Sequence, residues 1–359
     1  MRIKKIHIQN YKSLVDFELD SPPPFCAFVG PNASGKSNIF EALEFINYTS
    51  KYSHYAPSYF KGKEAILSYH ATYLGGFLGK RDLAFEIVFN DDFVVYFDAN
   101  FSIENNEVLE SIGSINESQS DKIIFTDIKN FSRRKEFVDS FNRTGSYELD
   151  LEVFIDNFSR IFVGSNKFTP APSINKLNFN ASNLSQIIGR IFQDERKRED
   201  FIEWVQILIP EFKNIKIKKS NIDGSYEFFV YEKSADKPFP KHLISDGTYN
   251  ILALMAAVYQ TSEPQFLCIE EPENGLHPEA IQLLVEFFRE KCEDEGHHIW
   301  LNTHSPTLVR CMAIDEIVLV NKIDGETRAK IQTKLSGIDI KTDEAWLTNA
   351  LGGGTLWSR

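Results

Sequence analysis

Phe25-Cys26-Ala27-Phe28-Val29-Gly30-Pro31-Asn32-Ala33-Ser34-Gly35-Lys36-Ser37 is the stretch that decides the fold. Its first five residues form a short apolar run between Pro24 and Gly30, which reads as a buried strand. After Ser37, the spacing of Ile39, Leu43 and Ile46 predicts a helix. Between the two, Gly30 to Ser37 matches G-x-x-x-x-G-K-[ST] in full. Glycines let the backbone curl so that successive N–H groups face phosphate oxygens. The helix starting near Lys36 adds its positive end. Lys36 supplies a point charge to β- and γ-phosphates, and the Ser37 hydroxyl suits a Mg²⁺ ion. A glycine-rich turn that binds nothing would need neither the strand before it nor the helix after it.

Three further signals lie downstream. Phe266-Leu267-Cys268-Ile269 is an apolar run that delivers Glu270 and Glu271 to the end of a strand. In doubly wound sheets ligands sit at carboxyl ends of strands. One acid can complete a Mg²⁺ shell and the other can orient or deprotonate water. Two adjacent acids in solvent are the plain alternative, and the phosphate loop is what gives the pair weight. Asn302-Thr303-His304-Ser305 ends another apolar strand, so His304 is either a surface histidine or a group that reaches the γ-phosphate. Ser245-Asp246-Gly247-Thr248 opens a helix carrying Ile251, Leu252 and Met255. It is either a simple N-cap or a phosphate-binding helix start.

Taken in order, these motifs resemble the ABC-type ATPases of the SMC/RecF-like and OLD-like group. Gly30, Pro31, Asn32, Ala33, Ser34, Gly35, Lys36 and Ser37 look like Walker A, with Asn38 following as it does in that group. Ser245, Asp246, Gly247 and Thr248 look like the ABC signature, and Glu270-Glu271 like the end of Walker B. Asn274-Gly275-Leu276-His277-Pro278 looks like the D-loop and His304 like the switch histidine. The opening Ile6 to Ser13 resembles the group's first strand and turn. Lys176 to Gly189 and Pro210-Glu211-Phe212 resemble the lid of a bacterial predicted-ATPase branch, and Glu344 to Leu351 resembles its tail. Two departures stand out: the first Walker B acid is Glu270 where Asp is usual, and Asp246 stands where transporter subunits carry Gly.

The resemblance implies an α/β fold, a P-loop ABC ATPase head. It would have a mostly parallel core sheet, an antiparallel β lobe and a helical lid insertion. Residues 1–359 would form one ATPase domain. Walker A lies in 1–50, the β lobe and lid in 51–240, and the signature, Walker B, D-loop and switch histidine in 241–359. It implies ATP and Mg²⁺ as ligands, with Ser37 and Glu270 on the metal and Lys36, Glu271 and His304 in catalysis. Two ATPs would join a homodimer, the signature of one subunit capping the nucleotide of the other. The resemblance also implies a separate effector, a nuclease or toxin, since members of this branch often work beside one, commonly in anti-phage defence. The alternatives are a slow-turnover ATP-dependent scaffold and a transporter nucleotide-binding subunit, the latter opposed by Asp246 and the long insertion.

Composition bounds the rest. The chain has 359 residues, 42% of them hydrophobic, enough for a large core. With 39 Lys and Arg against 51 Asp and Glu, its net charge of −12 excludes coating of DNA by bulk charge. Lys213, Lys216, Lys218 and Lys219, then Arg133-Arg134-Lys135, then Arg196-Lys197-Arg198 are local basic clusters. They are solvated faces or DNA phosphate contacts. No apolar run approaches the ~20 residues of a membrane span, and Met1 to Ser13 lacks the apolar core of a signal peptide. Four cysteines without a C-x-x-C pair fit a reducing cytoplasmic setting. Leu83 to Phe89 and Phe93 to Phe101 predict a hairpin around Asn90-Asp91-Asp92. Glu104 to Gln119 reads as a polar loop, Asn183–Phe192 and Glu199–Leu208 as helices, and Tyr226–Tyr231 as a strand after a turn at Asp223-Gly224. No nuclease motif is evident.

Overall fold

β3 (Phe25–Val29) is buried at all five positions because it lies in the middle of a sheet covered on both faces. Residues 3–52, 60, 63–66, 82–89, 93–101, 108–117, 122–125, 154, 156–165, 175–219, 226–332 and 341–348 are described by a computed structural model. The core sheet runs β15-β14-β3-β13-β12-β8, with β8 (Phe158–Ile161), β12 (Phe266–Glu270), β13 (His298–Thr303), β14 (Ile317–Ile323) and β15 (Glu326–Ile331). Every neighbouring pair in it is parallel except the β14–β15 hairpin.

The two-residue period of a strand sends alternate side chains to opposite faces, and two apolar cores follow from it. Cys26, Phe28, Phe266, Cys268, Trp300, Val318 and Val320 face one side. There they meet α1 (Lys36–Tyr52) and an antiparallel sheet ordered β2-β1-β4-β5-β6-β7. That sheet comprises β1 (Ile3–Tyr11), β2 (Leu14–Asp20), β4 (Asp82–Phe89), β5 (Phe93–Phe101), β6 (Val108–Glu117) and β7 (Lys122–Phe125). Ala27, Val29, Leu267, Ile269, Ile299 and Leu301 face the other side. That side is covered by α2 (Leu184–Ile191), α3 (Glu195–Leu208), α4 (Asp246–Tyr259), α5 (Pro278–Glu295), α6 (Pro306–Cys311) and α7 (Thr342–Leu347). A small antiparallel sheet, β11-β10-β9, packs on α2 and α3; its strands are β9 (Phe212–Lys219), β10 (Tyr226–Glu232) and β11 (Phe239–Pro240). No described helix is long and apolar enough to cross a membrane.

The expected fold is the one found, with three corrections. Most of the polar stretch 104–119 is not a loop: 108–117 forms β6. Its backbone pairs with β5 on one side and β7 on the other, and two ladders outweigh a weak composition. The second lid helix starts at Glu195 rather than Glu199, because Asp194 caps it by accepting from the backbone N–H groups of Arg196 and Lys197. The span 51–240, read as lobe and lid, also contains β8, an edge strand of the core sheet beside β12. The turns at Asn90-Asp91-Asp92 and Asp223-Gly224 and the cluster Arg133-Arg134-Lys135 lie outside the described residues.

Candidate active site

The phosphate loop is shaped by what surrounds it. Gly35 has φ of +100°, and a Cβ there would run into the side chains of Thr327 and Ser13. A Cβ on Gly30 would collide with the Val320 carbonyl. A hydrogen-bond chain braces the turn: Asn38 Nδ2 donates to Ser13 Oγ (2.7 Å), and Thr327 Oγ1 donates to the Ser34 carbonyl (2.9 Å). The Ser13 and Thr327 hydroxyls stand 2.6 Å apart between them. With the Thr327 proton committed to Ser34, Ser13 is the donor to Thr327. Lys36 is buried and donates to the carbonyls of Gly30 (2.7 Å) and Pro31 (2.9 Å). Burial pushes its pKa down to about 8, against the opposing pull of Glu271, Glu270 and Glu273.

The acidic strand end arrives directly beneath this loop. Ser37 Oγ donates to Glu270 Oε2 at 2.6 Å. Asn302 Nδ2 approaches the same two atoms, at 3.1 and 3.4 Å. Among the described residues, Asn302 Oδ1 is buried with no hydrogen-bond partner. The other oxygen of Glu270 accepts from Arg160, which sequence reading missed.

Glu271 leaves the strand with φ of +47°, a strained value for a non-glycine residue. Its N–H donates to the Asn302 carbonyl (2.8 Å) and its Oε2 accepts from Asn274 Nδ2 (2.9 Å). The turn swings its carboxylate toward His304, whose Nδ1 lies 3.6 Å from Oε1. Glu273 is buried beside them and accepts from the Thr303 hydroxyl. Burial raises its pKa above the usual carboxylate value.

Ser245 caps α4 by accepting from the Thr248 N–H at 3.1 Å. Among the described residues, no hydrogen bond joins Ser245–Thr248 to residues 30–38 of the same chain. The helix instead ties itself to the segment after Glu271. Asn250 Nδ2 donates to the carbonyls of Pro272 (3.0 Å) and Asn274 (2.8 Å). Gly247 lies so close to the Gly275 carbonyl that a Cβ would strike it.

The lysines of the small sheet are less free than their sequence suggests. Lys216, Lys218 and Lys219 lie over the rings of Tyr231, Phe229 and Tyr226 at 5.1, 4.9 and 5.4 Å. Arg196 and Arg198 are exposed in the first turn of α3.

A phosphate cradle set over an acidic strand end, on a parallel sheet backed by an antiparallel one, defines a P-loop ATPase of the SMC/RecF-like class. The solved structures agree at the level of fold. The SMC head domain from Thermotoga maritima aligns with a TM-score of 0.51 at 16% identity over 93% of this chain and 100% of that one. An Smc head bound to the C-terminal winged-helix domain of ScpA aligns at 0.59, with 16% identity over 94% and 98%. Residues 25–310 match the family described as "AAA domain, putative AbiEii toxin, Type IV TA system", and the chain belongs to it.

Curated relatives are similar mainly over short stretches. Identity to the chromosome partition protein Smc of Methanocaldococcus jannaschii is 50% over 44 residues, 12% of this chain and 4% of that one. Identity to RecF of Lactococcus lactis is 41% over 49 residues, 14% of each. The match thus spans a small fraction of either protein. An ATP/GTP phosphatase of Helicobacter pylori is 20% identical over 342 residues, covering 88% of both chains.

Proposed function

We propose that this chain hydrolyses ATP and uses the reaction as a dimeric switch that controls a partner effector. The observation that carries the reading is the pairing of two acids with two tasks. Glu270 is held against the hydroxyl of Ser37, and Glu271 is turned away from it toward His304. The donor set fits a hard cation: a carboxylate oxygen and a hydroxyl meet beneath the phosphate loop. Ser37 and Glu270 would hold Mg²⁺, which supplies charge neutralisation for the phosphates when bound.

The residues of Gly30 to Ser37 offer backbone N–H groups, and Lys36 exchanges its two carbonyl partners for phosphate oxygens. Glu271 orients and deprotonates the attacking water, and His304 beside it donates toward the terminal phosphate. Ser245 and Asp246 are exposed, and among the described residues Ser245–Thr248 make no hydrogen bond to their own loop. In this reading they meet the nucleotide of a second copy, giving an isologous dimer. The Smc head solved with part of ScpA supports a head of this shape carrying a partner protein. We assign the effector to the nuclease or toxin class acting in phage defence in the cytoplasm, with DNA contacted through Arg196, Arg198 and the lysines of β9.

The test is steady-state ATP hydrolysis with Mg²⁺, paired with light scattering. Wild-type protein should release phosphate, and Glu271→Gln should lose at least 99% of turnover while accumulating as an ATP-bound dimer. Turnover unaffected by that substitution, or a variant that stays monomeric with saturating ATP, would refute the reading. Measurable but DNA-indifferent turnover points to the scaffold role.

A further inference from the structure

β8 holds an anomaly. Four residues long and buried throughout, it carries an arginine, Arg160, whose side chain is 7% exposed. A guanidinium cannot sit there uncompensated, since an unpaired buried charge costs several kcal/mol. The strand register explains what it meets. Arg160 pairs with Cys268 on β12, so Glu270, two residues on, projects from the same face one step further along.

The guanidinium divides its donors between two acids. Nε donates to Glu270 Oε1 at 2.7 Å, and Nη2 donates to the same oxygen. Nη1 donates to Glu44 Oε2 at 2.9 Å. Glu44 lies on α1, two turns beyond Ser37 and on its face of the helix. The ring of Phe179 lies 5.0 Å from the guanidinium and shields it. Burial alone would lower the arginine pKa, but Glu270, Glu44 and Glu41 together raise it above its ordinary value. The group is a permanent cation.

Glu270 is thereby fixed at both ends. Its Oε1 is committed to Arg160, so Oε2 is the oxygen presented to Ser37. A glutamate has one more rotatable bond than the aspartate usual at this position, and therefore more orientations to lose. Arg160 removes them in advance. It also offsets negative charge where Glu41, Glu44 and Glu270 all come within 4.0 Å of its guanidinium.

We propose that Arg160 is a positioning residue for the divalent cation. It holds Glu270 so that Oε2 faces Ser37, and Glu44 anchors Arg160 in turn. This rests on the ATPase reading above. Partners one step removed from a metal, when removed themselves, change metal affinity by roughly 10- to 100-fold. Arg160→Lys keeps the charge but loses the planar fork that spans two acids.

The experiment measures binding of a fluorescent ATP analogue, first in EDTA and then with Mg²⁺ titrated in, alongside thermal unfolding. In Arg160→Lys, affinity in EDTA should stay within about twofold of wild type, while the Mg²⁺ concentration for half-saturation rises about tenfold or more. Glu44→Gln should raise it about threefold and serves as the deciding variant if Arg160→Lys fails to fold. A lowered melting temperature with unchanged Mg²⁺ half-saturation would mean a purely structural ion pair and overturn the proposal. Wild-type protein that binds no ATP with Mg²⁺ would overturn the ATPase reading itself, and the proposal with it.

Discussion

Asn250 is the residue through which the start of α4 should communicate with Glu271, and Asn250→Ala tests this. The residue is 5% exposed, and its amide donates to two carbonyls, of Pro272 and Asn274. Each hydrogen bond contributes about 1 kcal/mol, and a buried carbonyl left without a donor costs about 1–3 kcal/mol more. Partial relaxation of the 272–275 segment brings the total loss to about 2–4 kcal/mol. The same segment carries Asn274, which donates to Glu271 Oε2. If about 1.4 kcal/mol of the loss falls on the transition state, turnover drops about tenfold. Urea denaturation reads the first quantity and phosphate release the second, with Asn250→Asp as a comparison that turns an acceptor toward the two carbonyls. Stability within 0.5 kcal/mol and turnover within twofold of wild type would show that helix and segment are not coupled through this side chain.

Gly247→Ala should place a methyl group on the Gly275 carbonyl, so turnover should fall while the monomer's own nucleotide affinity, set by residues 30–38, stays within about threefold. Ser13→Ala interrupts the chain from Asn38 to Ser34, and should weaken ATP-analogue binding about tenfold while lowering stability by about 1–2 kcal/mol. His298 has its pKa pushed down to about 3 by burial, from 6.5. The unfolded chain therefore binds the extra proton, and stability is full above pH 6.5 and lost as pH falls toward 3. Between pH 7 and 5 the loss from this group is about 2 kcal/mol, and His298→Leu should flatten the urea midpoint over that window by a similar amount.

The parts of the site carried by contiguous sequence were legible. The glycines, Lys36 and Ser37 are fixed by the path of one loop, and Glu270 and Glu271 by a strand only five residues long. Arg160 was not legible, because its partner is 110 positions away and a lone arginine in a four-residue run gives no periodic signal. A still larger separation, 314 positions, hid the brace on the phosphate loop, which joins Ser13 to Thr327. Asn38, which follows the loop in sequence, joins the same brace by donating to Ser13. β6 was misread for a related reason: its state is decided by neighbours on both sides and not by its own composition.

The brace on the phosphate loop has a consequence for the order in which the molecule can be made. Ser34 emerges from the ribosome 293 residues before Thr327, the residue that holds its carbonyl. β3 likewise waits for β13 and β14 on either side. At about 5–20 residues per second, the loop spends about 15–60 s on a nascent chain without the partners that shape it. The β1–β2 hairpin, being local, can form at once. Nucleotide capture is thus deferred until synthesis has passed residue 327, and a chain aborted before that point is left without a working grip on ATP.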